Sequence, residues 1–449
     1  MPRVVTGPHP TMPGILLALG YTALLLVLIH RSRFFRVEGV PHPWVHAAFL
    51  AKVLAGTALW ALYTYVLVDR PNADIYRYFD DSAVMFGALK TAPGDYLRML
   101  TGIGNDSPHF DALYYRVMNN WYRQYESNMY NDAHTIIRFN ALVRLFSFGS
   151  IHVHTVFAAF LAFVGSIGLA KAVGALLSQL EKPVFLAVLV VPSVLFWSSG
   201  VIKETFLMFA LGLLIWLVFG MARGRLNGAL LLIAIPLTTL LFFLKFYVLL
   251  SMVPALLAFG WCRFRPSRPW LKFVIVHLVF LVAGANSEKV IPGFDILDTL
   301  AWKQKDFIGL AVSVNSGSYV PTPYLEPTLA SFVSAAPHAL YTTFLGPLAA
   351  WRNGALGLVS ALETLALLAL LLLLLRHRRT WKDVDQAFLY YCISFCLLLA
   401  LVIGWTTPVM GAVVRYRVPL LPFLLFAAFS VTDVERLLSR WAWLRPLRP

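Results

Sequence analysis

Residues 355–379 read ALGLVSALETLALLALLLLLLRHRR, an apolar run that ends in a cluster of arginines. About 20 apolar residues are enough to cross ~30 Å of hydrocarbon as a helix. Under the positive-inside rule, the arginines at 376–379 place the end of that helix in the cytoplasm. The same pairing of an apolar run with basic residues recurs along the chain, and it predicts a protein that crosses the membrane many times.

The basic clusters give the chain its predicted orientation. If all of them face the cytoplasm, every connection between two clusters must cross the bilayer an even number of times. The clusters are Arg31, Arg33 and Arg36; Lys171 and Lys182; Arg223 and Arg225; Arg263, Arg265 and Arg268; Arg376, Arg378 and Arg379; and Arg436 and Arg440. We therefore predict that the N-terminus lies outside and the C-terminus in the cytoplasm.

The apolar runs between these clusters supply the crossings. Each run is near the ~17–25 residues of a membrane helix. The runs lie at 14–30, 45–68, 151–175, 184–199, 204–222, 227–244, 246–262, 271–286, 352–375, 386–404 and 416–432. They predict an all-α, polytopic membrane protein with about eleven transmembrane helices. With no internal repeat or linker evident, residues 1–449 are predicted to form one membrane-embedded domain.

The composition excludes several other classes of protein. Hydrophobic residues make up 59% of the chain and charged residues 13%, which is not the composition of a soluble domain. The net charge of +15 is spread over short basic anchors, so nucleic acid is not an expected partner. The three cysteines fall in or at the ends of predicted spans, so neither a disulfide framework nor a thiolate metal site is expected. The first apolar run precedes its basic cluster, which predicts a retained helix and not a cleaved signal peptide.

Two long polar segments, at about 69–150 and 287–351, fall on the outer face in this topology. Apolar and aromatic residues recur at helical spacing in 110–146, which predicts amphipathic helices along the interface. The aromatic residues of the first segment are interface anchors or a platform on which sugar rings stack, and the sequence leaves both interpretations open. They include Tyr76, Tyr78, Tyr96, Tyr114, Tyr115, Trp121, Tyr122, Tyr125 and Tyr130.

The first outer segment opens with three carboxylates, Asp74, Asp80 and Asp81. On a helix, Asp74, Arg77, Tyr78 and Asp81 share one face through their three- and four-residue spacings. Acidic residues in a first turn also stabilise a helix through its dipole, so a structural role is the alternative. A partly desolvated carboxylate at the membrane boundary is suited to act as a general base, with Asp74 as first candidate and Asp81 or Asp80 as second.

Basic residues on the predicted outer side run against the positive-inside bias. Lys203 and Glu204 follow an outward break, and Arg415 and Arg417 stand at the entrance of the last predicted span. An anionic ligand at a helix N-terminus would account for Lys203, and two guanidiniums suit a phosphate or pyrophosphate. The alternatives are a snorkelling Lys203 paired with Glu204, and arginines that face anionic lipid headgroups.

Other polar residues carry less weight individually. Glu363 is a lone carboxylate inside an apolar run, where either a function or a buried hydrogen bond to a neighbouring helix would explain it. In the first outer segment, His109, Asp111, His134 and Arg138 are further candidates for polar contacts to a substrate.

At these residues the chain resembles the GT-C class of polyprenyl-phosphate-dependent membrane glycosyltransferases and related polysaccharide polymerases. Asp74-Ile75-Tyr76-Arg77-Tyr78 is similar to the Asp-Glu-x-x-Tyr pattern after an early span in that class, with Ile75 where Glu is common. The stretch from Arg415 to Pro422 resembles the Arg-Tyr-x-x-Pro-x-x-Pro entry into a late span, and the stretch from Pro192 to Glu204 is similar to a segment of bacterial proteins of polysaccharide assembly. The class commonly places its catalytic loop after the first span, whereas this chain places it after the second.

The resemblance implies a glycosyltransferase or glycan polymerase of the bacterial inner membrane that uses a polyprenyl-linked sugar donor at the outer face. Asp74 would deprotonate the hydroxyl of a glycan, lipid or protein acceptor. Lys203, Arg415 and Arg417 would converge on the departing phosphate, and the apolar spans would accept the lipid tail.

Other functions and cofactors stay open at the level of sequence. A divalent metal such as Mg²⁺ or Mn²⁺ could bridge Asp80 or Asp81 and the phosphate, although no spacing indicates one. A transporter or flippase for a lipid-linked or anionic substrate is the main alternative, although the repeated halves common in transporters are not apparent. A non-catalytic scaffold for envelope assembly is the third.

Overall fold

The computed structural model describes residues 12–122, 131–222, 230–434 and 436–437. Arg223, Arg225 and Arg440 of the predicted basic clusters lie outside the described residues, as do Tyr125 and Tyr130. In the part of the chain that is described, the fold is helical throughout, and the only β-structure consists of two isolated bridges. The all-α prediction is therefore confirmed.

The described α-helices are numbered in chain order. They are α1 (Met12–Arg31), α2 (His42–Ala61), α3 (Asp74–Thr91), α4 (Pro93–Thr101), α5 (Pro108–Leu113), α6 (Ala133–Ser147), α7 (Ile151–Gly174), α8 (Glu181–Leu189), α9 (Pro192–Trp197), α10 (Lys203–Ala222), α11 (Leu231–Phe264), α12 (Pro269–Ala285), α13 (Ser287–Val290), α14 (Ile296–Ser313), α15 (Leu329–Phe344), α16 (Ala355–Arg376), α17 (Gln386–Thr406), α18 (Met410–Tyr416) and α19 (Leu420–Val431).

Seven of the described helices are long and apolar enough to cross a membrane. They are α1, α2 with its π-helical extension to Val66, α7, α10, α11, α16 and α17, and the bent pair α18 and α19 would make an eighth. The protein is thus a multi-pass membrane protein, and the predicted count of about eleven spans is not confirmed.

The differences from the predicted runs occur where the helical backbone is interrupted. The run 184–199 forms two short helices, α8 and α9, with a break before Pro192. The runs 227–244 and 246–262 form the single helix α11, whose backbone leaves the helical region at Lys245 (φ −152°, ψ 72°). The run 416–432 belongs to α18 and α19, which meet near Pro419 at an angle of 56°.

The chain divides into two compact units. Among the described residues, unit 1 contains 12–122, 131–167 and 195–212, and unit 2 contains 168–194, 213–222, 230–434 and 436–437. The expectation of one membrane-embedded domain stays a prediction.

Unit 1 is held together by close helix contacts. Gly165 of α7 and Gly212 of α10 meet backbone to backbone, with no room for a side chain between them. The ends of α2 and α3 pack with Ile202 in one apolar cluster that includes Trp60 and Ile75. Helix α3 packs against α4 and α6, which fixes the polar segment that follows α2. Helices α5 and α6 fall in the range predicted to hold interfacial amphipathic helices, and their position at an interface stays a prediction.

Unit 2 is built around α17, which packs against α11, α15 and α19. The buried ring of Tyr391 lies at its centre, 5.7 Å from the ring of Phe219, 5.4 Å from Phe259 and 5.9 Å from Phe423. These rings form an aromatic centre of the apolar core of unit 2, and the Tyr391 hydroxyl is buried there without a hydrogen-bond partner among the described residues.

Candidate functional site

The first polar site of unit 1 lies along one side of α3, starting at the first residue of the helix. Asp74 begins the helix and is half-buried in its first turn. Tyr78 and Asp81 are buried, and Arg77 is half-buried. The predicted helix through these four residues is present, so their three- and four-residue spacings place them along one side of α3.

Asp81 anchors the loop that precedes α6. Its two carboxylate oxygens accept hydrogen bonds from the backbone N–H groups of Asn119, at 2.7 Å, and Asn120, at 2.8 Å. Arg77 donates to the carbonyl of Asn119 at 3.3 Å. Burial raises the pKa of the Asp81 carboxyl to about 6, although the two N–H donors act in the opposite direction. Asp81 therefore has a structural task, which is to hold this loop against α3.

Asp80 is also occupied by a structural partner. The Arg70 guanidinium binds it through two hydrogen bonds, of 2.6 Å and 3.1 Å, in the fork geometry that suits a carboxylate. The same guanidinium lies 4.0 Å from the centre of the Tyr76 ring. Burial raises the pKa of Asp80, and Arg70 opposes that shift.

Lys203 joins this site from the start of α10. Its ammonium lies 2.7 Å from a carboxylate oxygen of Asp132, and both side chains are 17% exposed. It also lies 5.6 Å from the centre of the Tyr78 ring. Glu204 is fully buried. Asp132 was not among the predicted residues, although an Asp just before an amphipathic helix is a familiar start signal.

The weaker candidates of the segment 69–150 stabilise its loops. His109 lies 2.7 Å from Asp95 and lowers the pKa of that carboxyl. Arg138 donates to the carbonyl of Met99 at 2.9 Å, and its guanidinium lies 5.7 Å from the Trp121 ring.

The aromatic residues of this segment stack on one another. The Trp121 ring is nearly parallel to the Tyr115 ring, at 4.1 Å, and to the His134 ring, at 3.8 Å. The hydroxyl of Tyr122 donates to Asp111 at 2.5 Å. Because Tyr115 and Trp121 are buried in this stack, they are better suited to packing than to serving as an open platform for sugar rings.

In unit 2, Arg417 and Glu363 form a buried ion pair. Their charged groups lie 3.5 Å apart, with exposures of 3% and 5%. Glu363 also accepts hydrogen bonds from the backbone N–H of Ser193, at 2.6 Å, and from the Ser193 hydroxyl. Arg417 donates to the hydroxyl of Thr364 at 2.8 Å. Of the two explanations for Glu363, the buried hydrogen bond to neighbouring helices is therefore present.

Arg417 also lines an apolar cavity of about 150 Å³. Its Nε atom is buried and has no hydrogen-bond partner among the described residues. The remaining lining is mostly leucine and comes from α15, α16 and α19: Thr343, Phe344, Thr364, Leu367, Leu368, Leu371, Leu420, Leu421 and Leu424. The cavity therefore combines a cationic donor with a leucine wall.

In unit 2, two lysine ammonium groups contact two tyrosine rings, and one of these tyrosines, Tyr416, directly precedes the cavity residue Arg417 in the sequence. The Lys245 ammonium lies 4.0 Å from the centre of the Tyr416 ring, and the Lys303 ammonium lies 4.3 Å from the centre of the Tyr247 ring. The two rings are 6.5 Å apart, and Arg415 precedes Tyr416 in α18. We call Lys245, Lys303, Tyr247 and Tyr416 the cation–aromatic cluster.

Neither lysine of this cluster was among the predicted site residues. Lys245 carried a usable signal, because it separates the apolar runs 227–244 and 246–262, and an ionisable residue within apolar sequence marks a functional position by default. Lys303 carried none, since a lysine in a polar loop is ordinary.

The predicted site residues thus fall into two groups. Asp74, Arg77, Tyr78 and Asp81 lie along α3 in unit 1, and Lys203 approaches the Tyr78 ring. Arg415 and Arg417 belong to unit 2, and their convergence with Lys203 stays a prediction. The chain matches no protein-family model, no curated protein and no solved structure.

Proposed function

We propose that the chain is a glycosyltransferase of the bacterial inner membrane that uses a polyprenyl-phosphate-linked sugar as donor at the outer face. The observation that carries this proposal is the segment Arg415–Arg417. This segment joins the cation–aromatic cluster, through Tyr416, to the leucine-lined cavity, through Arg417. A lipid phosphate has the same two parts, an anion attached to an apolar chain.

The cavity suits the apolar part of such a donor. An apolar cavity of about 150 Å³ is large enough to bind a molecule the size of benzene. One isoprene unit, with five carbons, is of similar size. The leucines that line the cavity would stabilise a bound isoprene unit by removing its apolar surface from water, which contributes roughly 25 cal/mol per Å².

The cation–aromatic cluster suits the phosphate. Lys245 is only 8% exposed, so its charge is held in a region of low dielectric where interactions with other charges are strong. A phosphate in contact with both ammonium groups would add charge-assisted hydrogen bonds to the aromatic contacts that Lys245 and Lys303 make. Arg415 adds a planar fork of donors that matches phosphate oxygens.

The proposed reaction needs one base and one set of cations. Asp74 takes the proton of the acceptor hydroxyl, whose oxygen forms a bond to the anomeric carbon of the sugar. The bond between that carbon and the phosphate oxygen breaks, and the cations stabilise the polyprenyl phosphate that leaves. A positioned general base contributes typically ~10²–10⁴-fold to the rate.

Asp74 is the first candidate for the base because it begins α3, is half-buried, and stands at the Asp position of the stretch that resembles the Asp-Glu-x-x-Tyr pattern. Asp80 and Asp81 are the second candidates, and both hold parts of the fold together. Asp80 is held by Arg70, and Asp81 is held by two backbone N–H groups. For the same reason these two residues are poor ligands for Mg²⁺ or Mn²⁺, which need accessible carboxylate oxygens. The proposed reaction therefore uses no metal at Asp80 or Asp81.

The first experiment measures binding of polyprenyl phosphate to the purified full-length protein in detergent. Lys303→Gln should weaken binding by about tenfold, because a charge-assisted hydrogen bond contributes on the order of 1.5–3 kcal/mol. Lys305→Gln is the matched control, because Lys305 lies on the same helix but is exposed beside Trp302. This variant should bind polyprenyl phosphate within about twofold of wild type. Leu368→Trp fills the cavity, so it should weaken the binding of polyprenyl phosphate without changing the binding of inorganic phosphate.

The second experiment measures sugar transfer in proteoliposomes. Asp74→Asn should bind polyprenyl phosphate normally and lose at least about a hundredfold in transfer rate, because Asn cannot accept the proton. Equal effects of Lys303→Gln and Lys305→Gln on binding would remove the phosphate site from the proposal. Full transfer by Asp74→Asn would remove Asp74 from the mechanism.

A transporter for a lipid-linked or anionic substrate is the second candidate, and one observation favours it. Helix α11 is interrupted at the charged residue Lys245, and interrupted helices with polar residues at the break are common at substrate sites of transporters. Proteoliposomes distinguish the two functions. A transporter would move the labelled lipid between leaflets and leave its sugar attached, whereas a transferase releases polyprenyl phosphate.

A further inference from the structure

Three histidines of unit 1 lie together where α1 ends and α2 begins. His30 is in the last turn of α1, His42 is the first residue of α2, and His46 follows it one turn later. The ring centres of His42 and His46 are 4.6 Å apart. The ring centre of His30 lies 5.3 Å from that of His42 and 5.6 Å from that of His46. One nitrogen from each ring can be chosen so that all three lie within 4.8 Å of one another.

The spacing of His42 and His46 and their hydrogen bonds leave imidazole nitrogens available to a metal ion. Two histidines four residues apart on a helix present their rings on the same face, which is a frequent arrangement in zinc sites. His46 donates from Nδ1 to the carbonyl of His42 at 3.0 Å, so its Nε2 keeps a lone pair. The Nε2 of His42 is buried and has no hydrogen-bond partner among the described residues. A buried polar atom without a partner is unfavourable, and a metal ion would supply one.

We propose that His30, His42 and His46 bind a late first-row divalent ion such as Zn²⁺. Imidazole nitrogen suits Zn²⁺, Cu²⁺ and Ni²⁺, whereas Mg²⁺ and Ca²⁺ prefer oxygen ligands. Bonds of about 2.0–2.1 Å to a tetrahedral ion place the ligand atoms about 3.3 Å apart. His30 is exposed, so its side chain can rotate to close the difference. Water or another small ligand fills the fourth position, as in other sites with three protein ligands.

The site would link the first two membrane helices at the end that carries Arg31, Arg33 and Arg36. The ligands are neutral when they bind, so the ion adds positive charge beside these arginines. This favours an ion that gains much of its affinity from coordinate bonds to nitrogen, and it disfavours Mg²⁺ further. The inference is independent of the proposed transferase function.

The test uses full-length protein purified in detergent with an affinity tag that contains no histidine. After a chelator has removed metals, Zn²⁺ is added and the ratio of zinc to protein is measured after gel filtration, with Co²⁺ as a coloured probe. Wild type should retain one zinc per chain and should not retain Mg²⁺. His42→Gln and His46→Gln should each weaken zinc binding by at least about tenfold.

His338→Gln is the matched control, because His338 is a half-buried histidine of α15 in unit 2, far from the cluster in sequence. It should retain zinc as wild type does. His30→Ala replaces an exposed residue and should fold normally, so it keeps the test valid if a substitution on α2 impairs folding. Retention of zinc by His30→Ala and His42→Gln at the wild-type level, or its absence from wild type, would overturn the proposal.

Discussion

Asp81 keeps its carboxylate inside the fold because two backbone N–H groups replace the water that burial removes. The side chain is 1% exposed. Burial still makes the charged form less favourable than it is in the unfolded chain, and it raises the pKa to about 6 from 3.8. The residue therefore couples the stability of the loop at 119–120 to pH.

The sign of this coupling can be predicted. Between pH 4 and 6, roughly, the folded chain holds a proton on Asp81 that the unfolded chain has lost, so the contribution of Asp81 to stability decreases as pH rises through this window and is constant above it. The difference between the two pKa values corresponds to on the order of 3 kcal/mol.

The measurement is the melting temperature of wild type and Asp81→Asn between pH 4.5 and 7.5. Asn does not titrate, so the difference in melting temperature, wild type minus variant, should fall as pH rises and then level off. A difference that stays constant across this range would show that Asp81 has the same pKa in the folded and unfolded chain.

The sequence identified the residues of α3 but not their partners. Helical spacing is sufficient to predict that Asp74, Arg77, Tyr78 and Asp81 share a side of one helix. The partners of Asp81 are backbone groups 38 and 39 residues away, and no local pattern encodes such a contact. The pairing of Lys203 with Asp132 spans 71 residues and was missed for the same reason.

At the scale of helices, the contact between α7 and α10 depends on glycine. A Cβ added to Gly165 would overlap the backbone of Met208 and Phe209, and one added to Gly212 would overlap the backbone of Gly165. Small residues allow helix backbones to approach closely, and dispersion contacts then stabilise the pair where no water is available to drive association.

Gly165→Ala should therefore destabilise unit 1 by at least about 2 kcal/mol, because the added methyl group has no space and the two backbones must separate. Gly20→Ala is the matched control: it lies in α1, and a Cβ there meets nothing within 4 Å. The control should leave the melting temperature unchanged or raise it slightly, since Ala is favoured over Gly in helices. Equal melting temperatures for the two variants would contradict a close contact between α7 and α10.

Long apolar runs were predicted well, and interrupted ones were not. Helices α1, α7, α16 and α17 begin and end within a few residues of the predicted runs, because about 20 uninterrupted apolar residues leave little choice of structure in a membrane. Where Pro192, Lys245 or Pro419 interrupts a run, the local pattern predicts a break but not its geometry. That geometry depends on the neighbouring helices.

At the scale of the whole molecule, contacts within unit 1 bring the starts of α7 and α10 together. Ile202, just before α10, belongs to the same apolar cluster as Trp60 near the end of α2, and Ile151 at the start of α7 packs against it. Helices α7 and α10 therefore begin at the same end. If α7 and α10 both span the membrane, we predict that the chain between Gly174 and Ile202, which includes α8 and α9, returns across it, although neither helix is long enough alone.

Together with the positive-inside rule, this return predicts the side of each connection. The segments 85–145 and 290–340 should be outside, and the connection between α7 and α8 should be cytoplasmic, together with 263–270 and 376–382. Single cysteines at Asp106 and Tyr324 test the outer segments, and cysteines at Ser178 and Arg265 test the inner ones; all four positions are exposed. The native Cys262, Cys392 and Cys396 are buried, so the unmodified protein should give a low background.

An impermeant thiol reagent applied to intact spheroplasts should label the cysteines at 106 and 324 at once, and those at 178 and 265 only after the membrane is permeabilised. Position 265 tests the part of the topology that depends most on the positive-inside rule. Helix α10 should end in the cytoplasm, so a cytoplasmic Arg265 requires the chain through α11 to return to the side from which it started, with its turning point near the break at Lys245. Labelling of position 265 from outside would mean that α11 crosses once, that the arginines at 263–268 are external, and that the cation–aromatic cluster has to be reassigned to a different depth in the membrane.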